Sequence, residues 1–250
     1  MLARISLEVS IRKALGHQDR CRTAHSSAKR VQRIEQELFT VFGVFCRMSP
    51  IAVIDFETTG LSPAMGDRAT EVAIVLVEGG RVVDRFQSLM NAGVRIPSVI
   101  TQLTGISNAM VATAPDAARV MAEASRFVGK APLVAHHASF DRKFWVGELA
   151  RLGLPAPQPF ACTMLVSRRL YPEAPNHKLG SLVDYHHLPR TGAAHRALAD
   201  AEMAAGLLGQ IQHDLRTRHR VGNPDHALLM TLQRCAKSAV GMLMAQYAAA

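Results

Sequence analysis

The apolar residues of this chain fall into two periods, one of strands and one of helices. "IAVI" (51–54) is apolar on both faces of an extended segment, the mark of a central strand covered on both sides, and it runs directly into Asp55. "ATEVAIVLVEGGRVVDRFQSLMNA" (69–92) sets β-branched residues on either side of Gly79-Gly80 and predicts a hairpin. "PLVAH" (132–136) and "PFACT" (159–163) read as short buried strands. Between these segments the spacing turns helical. Helices are expected over 97–103 and 115–128, from a cap at Ser139 to Gly153 and Pro155, near 163–170 and 178–187, and over 195–217. Gly222-Asn223-Pro224 breaks the chain, and Asn223 as N-cap with Pro224 behind it predicts one last helix to about 247. Strands alternating with helices give an α/β fold.

Residues 1–47 read differently. Only from Val31 does a helical spacing emerge, through Ile34, Leu38 and Val41 or Phe42. The segment is a targeting leader, a helix that docks on a partner, or an upstream extension outside the natural product. Met48 stands just before the first strand, which favours the last reading. The expected division is therefore 1–47, a main domain over 48–212, and a helical C-terminal extension over 213–250.

Composition narrows the class. With 250 residues, 48% of them hydrophobic, the chain can bury a sizeable core. Its net charge of +9 favours an anionic partner such as nucleic acid, although residues 1–47 carry +5 of it. Arg216, Arg218, His219 and Arg220 form either a phosphate contact or a solvated helix end. Aromatic residues are only 5%, which excludes a broad base-stacking platform. The four cysteines form no C-x-x-C pair, which argues against a zinc site or a disulfide framework and for a cytoplasmic setting. No apolar run of about 18 residues occurs, so no membrane partner is expected.

The candidate chemistry lies in the acids. Asp55 and Glu57 are two apart on one strand, so they project to the same face about 7 Å apart. Either they face water, or they hold a divalent cation that offsets their repulsion. Asp141 is either an acid favoured by a helix dipole or a member of a site, and His136 and His137 are equally open. Asp200 shares a face with Ala197, Ala201 and Ala204 that continues into Leu207 and Leu208. A carboxylate on such a stripe needs a partner. His195, five residues earlier, belongs to the helix start or to the loop containing Gly192. Four carboxylates and a histidine match what two-metal phosphodiester hydrolysis requires.

"VIDFETTG" (53–60), "LTGIS" (103–107), "VAHHASFD" (134–141) and "HRALAD" (195–200), in this order, resemble the DEDDh 3′–5′ exonucleases, and among them the group like the proofreading epsilon subunit of bacterial DNA polymerase III. The resemblance spans roughly 50–210. It implies a ribonuclease-H-like mixed sheet flanked by helices, with helical N- and C-terminal extensions, and makes 48–212 an exonuclease domain. It also implies two Mg²⁺ ions, or Mn²⁺, held by Asp55, Glu57, Asp141 and Asp200, with His195 as general base. Thr58 would contact the terminal 3′-hydroxyl, Leu61 would pack on the terminal base, and Phe56 would belong to the core. His137 stands where the family usually has Asn, close to the substrate. The implied partners are single-stranded or frayed 3′ ends of DNA, with RNA as the alternative, and a polymerase or other repair protein. The rival reading is an accessory subunit that holds a polymerase or helicase through its terminal helices.

Overall fold

The computed structural model describes residues 50–192 and 195–249. The helix expected from Val31 lies outside the described residues. Five strands, β1 (Ile51–Thr58), β2 (Ala69–Glu78), β3 (Arg81–Leu89), β4 (Leu133–Ala135) and β5 (Phe160–Cys162), form one sheet in the order β3-β2-β1-β4-β5. β1, β2 and β3 pair antiparallel, whereas β4 and β5 continue from β1 in parallel. The apolar run 51–54 thus forms the middle strand, as its two-sided pattern predicts. Gly79 and Gly80 both have positive φ, 58° and 78°. A tight two-residue hairpin turn demands this, and glycine supplies it without strain.

Helices cover both faces of the sheet: α1 (Ser98–Thr104), α2 (Asn108–Ala112), α3 (Ala117–Val128), α4 (Ala138–Arg151), α5 (Thr163–Leu170), α6 (Leu179–Tyr185), α7 (Ala197–Thr217), α8 (His226–Leu232) and α9 (Val240–Ala248). The pleat divides the core in two. Ile51 and Val53 of β1 join Ala197, Ala201, Leu207 and Leu208 of α7. Ala52, Ile54 and Phe56 point the other way, to Met121 of α3 and Phe144 of α4. Asp55 and Glu57 follow Val53 in the alternation, so β1 delivers both to the α7 side. Phe56, between them, is a core residue.

Two expectations fail locally. Ser139 does not cap α4; the helix begins at Ala138, and the N-cap is His137, in the left-handed region at φ 67°, ψ 45°. The C-terminal segment is not a single helix. Asp225, not Asn223, caps α8 by accepting from Leu228 N at 2.8 Å. The helix then stops, because tertiary hydrogen bonds outweigh its propensity. Gln233 Oε1 accepts from Cys162 N at 2.7 Å, and Arg169 Nε donates to Cys235 O at 3.1 Å. A short 3₁₀ turn (Lys237–Ala239) leads into α9. Leu228, Leu229, Leu232 and Met244 from these last helices join the α7 side of the core. Among the described residues no helix is long and apolar enough to cross a membrane.

Candidate active site

Three backbone elements, β1, α4 and α7, meet at the C-terminal end of β1. The strand supplies Asp55 and Glu57. The first turn of α4 supplies Asp141, whose Oδ1 accepts from Phe56 N at 3.2 Å. The first turn of α7 supplies Asp200, whose Oδ2 accepts from His195 N at 3.2 Å. That bond ties the loop before α7 to the acid behind it. Glu57, His195 and Asp200 each present a ligand-type atom, and these atoms lie within 4.8 Å of one another. A cleft of about 240 Å³ is lined by these three together with Asp55 and Asp141. Thr58, Leu61 and His137 line the same cleft. Its outer wall is apolar: Leu61, 76% exposed, faces the opening with Ile100 and Leu103 of α1.

The electrostatics are those of crowded, poorly solvated carboxylates. Burial, then the charges of Asp141, Asp200, Glu57 and Glu71, drive the Asp55 carboxyl well above its usual range. Burial followed by Asp200 and Glu71 pushes Glu57 up to about 7. Burial pushes Asp141 up to about 8, with Glu57 adding to it, despite the hydrogen bond from Phe56 N. Burial also raises Asp200, although His195 counteracts it. At all four, burial outweighs whatever positive charge lies nearby. Oxygen donors with one imidazole, and no thiolate, suit a hard divalent cation such as Mg²⁺ or Mn²⁺. The residues therefore fit the metals that their pattern implies.

His136 plays a different part. Its Nε2 lies 3.0 Å from His177 O, and since a carbonyl only accepts, Nε2 carries the hydrogen. Its Nδ1 then accepts from the Thr163 hydroxyl at 2.9 Å. Burial pushes its pKa down to about 4, so the ring is neutral and braces the end of β4.

The sequence reading overlooked two acids that shape the cleft. Glu71 is fully buried on β2, directly opposite Glu57. It accepts from Arg196 Nε at 3.1 Å and from the terminal guanidinium nitrogen at 2.9 Å, from Ala197 N at 3.2 Å and from Gln87 Nε2 at 2.8 Å. These bonds clamp the start of α7, and with it His195 and Asp200. Burial alone would raise Glu71, but the hydrogen bonds from Arg196, Gln87 and Ala197 hold it below its ordinary value. The signal was a lone acid inside the apolar strand "ATEVAIVLV". Asp67 organises the turn after β1: its Oδ2 accepts from Ser62 N at 2.9 Å, and its Oδ1 from the Thr59 hydroxyl at 3.5 Å. A Cβ on Gly60 would sit 2.4 Å from Asp67 Oδ1, so any larger residue would displace the carboxylate that holds this turn. In the basic cluster at 216–220, Arg218 is ion-paired with Asp214 at 3.2 Å.

Comparison with known proteins follows the same outline. DNA polymerase III PolC-type from Halalkalibacterium halodurans is 36% identical over 171 residues, 68% of this chain and 12% of that protein. The 3′-5′ exonuclease DinG of Bacillus subtilis is 37% identical over 165 residues, 66% of this chain and 18% of its own length. The chain thus matches only a small part of these relatives. Among solved structures, exonuclease X in complex with 5′ overhanging duplex DNA is 31% identical, with a TM-score of 0.54 over 65% of this chain and 91% of that one. The nuclease domain of 3′hExo, a DEDDh family member bound to rAMP, is 20% identical and shares the fold, with a TM-score of 0.58 over 67% of this chain and 93% of that one. The mixed sheet is thus the ribonuclease-H-like one that the motifs implied. The RNase T exonuclease family matches residues 52–208, and the chain belongs to that family.

Proposed function

We propose that this protein removes mononucleotides from the 3′ ends of DNA by metal-assisted hydrolysis in the cleft at the end of β1. The observation that carries the reading is the meeting of Glu57, His195 and Asp200 within 4.8 Å, in one cleft with Asp55 and Asp141. Asp55, Glu57, Asp141 and Asp200 would hold two Mg²⁺ ions, with Mn²⁺ equally suited to such ligands. Bound there, the cations would supply positive charge to the attacking and leaving oxygens.

The chain's own groups supply the rest. His195 takes a proton from the attacking water, whose oxygen forms the new bond to phosphorus. The bond from phosphorus to the 3′-oxygen of the penultimate nucleotide breaks, that oxygen is protonated from solvent, and a nucleoside 5′-monophosphate leaves. The turn at Thr58 presents backbone to the terminal 3′-hydroxyl. Leu61, with Ile100 and Leu103 beside it, packs on the terminal base, and His137 lines the same cleft. The preference for DNA is supported by the relatives named for a DNA polymerase and by exonuclease X bound to DNA. The polymerase relative also makes a replication or repair protein the fitting partner.

End dependence tests this reading. A linear 5′-labelled single strand should shorten stepwise and yield 5′-mononucleotides, while a circular single strand of the same composition should stay intact. Cutting of the circle would replace the exonuclease reading with an endonuclease one. His195→Gln should lower kcat by roughly 10²- to 10⁴-fold, the usual worth of a general base, with little change in KM.

A further inference from the structure

The first turn of α4 separates the acidic cleft from a second one. His137, Phe140 and Asp141 line the first, whereas Ala138, Ser139 and Arg142 line a cavity of about 430 Å³ on the other side of the same turn. That volume lies within the roughly 300–1,000 Å³ range of small-ligand sites. Side chains of one helical turn lie on the order of 10 Å apart across the helix, so the two clefts adjoin.

The second cleft has the opposite electrostatic character. No aspartate or glutamate lines it, and Arg142 and Arg234 do. Both guanidinium groups are exposed, and neither joins an ion pair among the described residues. Its walls are fixed independently of any ligand. Gln158 is held by Trp145 Nε1 and Gly129 O, and Gln233 by Cys162 N and Phe160 O. These bonds hold both amides in place, and the two arginines bring the positive charge to the lining. Pro157, Phe160 and Met230 give the same cavity an apolar part of its lining. The outer face of the same turn adds Lys143, again with no acid beside it, in a groove that reaches the loop at Ser62. Two cations and an apolar lining in one cavity, next to an acidic cleft, complement a phosphodiester with its attached base.

We propose that the Arg142–Arg234 cleft is a single-strand subsite. It binds an internal nucleotide of the strand whose 3′ end lies in the acidic cleft, with the two arginines on its phosphates and the base on the Phe160 side. The subsite rests on the exonuclease reading above. It predicts that affinity for a strand depends on residues that take no part in cleavage.

The test compares the full chain with Arg142→Glu/Arg234→Glu on two substrates in Mg²⁺: a twelve-nucleotide single-stranded DNA and the p-nitrophenyl ester of thymidine 5′-monophosphate. The ester reports chemistry without an upstream strand. The variant should raise KM for the twelve-mer about tenfold, keep kcat within about twofold, and hydrolyse the ester at the wild-type rate. Its log–log salt slope should flatten by about 1.4, two contacts at about 0.7 each. Unchanged KM and salt slope would overturn the subsite, and so would an equal loss on the ester. Arg142→Gln/Arg234→Gln gives the same comparison without charge reversal should the first variant melt early. If the wild-type protein hydrolyses neither substrate, the exonuclease reading has failed instead. Fluorescence anisotropy of the labelled twelve-mer without metal then decides the subsite: a tenfold weaker Kd in the variant supports it, and an equal Kd rejects it.

Discussion

At the scale of single residues, the cleft is a place where burial and like charge make ionised carboxylates costly. Asp55 is the clearest case, since burial and four neighbouring carboxylates all raise its pKa. Asp55→Asn should therefore do two opposite things. It should abolish hydrolysis, and it should raise the melting temperature of the metal-free protein near pH 8. A variant that melts lower than wild type in EDTA would contradict this electrostatic account. Glu71 is the reverse, a buried acid fully used by Arg196, Gln87 and Ala197 N. Glu71→Gln leaves Arg196 without its charged partner and loosens the start of α7. We expect a loss of about 1–3 kcal/mol in urea unfolding and a fall in kcat that exceeds any change in KM. That Asp55, Glu57, Asp141, His195 and Asp200 meet in one cleft was legible because they lie in short motifs. Glu71 was not, because its partners Arg196 and Ala197 lie 125 and 126 positions away.

At the scale of elements, the turn after β1 and the ends of α4 and α7 decide the geometry. Gly60→Ala would drive a Cβ into the Asp67 carboxylate, so the turn bearing Thr58 and Leu61 should shift and KM for oligonucleotides should rise. His137 shows why one cap was misread. Its left-handed conformation suits Asn better than His, so an N-cap in the extended region, which Ser139 would need, never forms. His137→Asn should be stabilising by less than about 1 kcal/mol in thermal melts. The acids at these ends also set a pH dependence. Their folded pKa values are raised, Glu57 to about 7 and Asp141 to about 8. Such groups support the metal-free fold fully below the ordinary carboxylate range, and that support is lost as pH rises through 7 and 8. Melting temperature in EDTA should therefore fall between about pH 5 and 9, and stabilisation by added Mg²⁺ or Mn²⁺ should grow over the same window. A metal effect as large at pH 5 as at pH 8.5 would contradict the assignment of these acids as ligands.

At the scale of the whole molecule, most of the sheet could be read from the chain because its determinants are local. The two-sided apolar run at 51–54 made β1 central, and Gly79-Gly80 made the β2–β3 hairpin. The segment after Leu232 could not be read that way. Its helical pattern is continuous, and only the grip of Cys162 N on Gln233 and of Arg169 on Cys235 O interrupts it. Those partners are more than sixty residues away in sequence. The last helices also bury Leu228, Leu229 and Leu232 against the α7 side of the core. The described elements bring four acids and a histidine to one sheet end, and one assay tests the proposed use of them most directly. A 5′-labelled single-stranded DNA and the matched RNA are incubated with wild-type protein or Asp55→Asn in Mg²⁺, Mn²⁺ or EDTA. The account predicts a ladder shortening from the 3′ end, faster on DNA, that needs a divalent cation and vanishes in the variant. Degradation that persists in EDTA or in Asp55→Asn would contradict it.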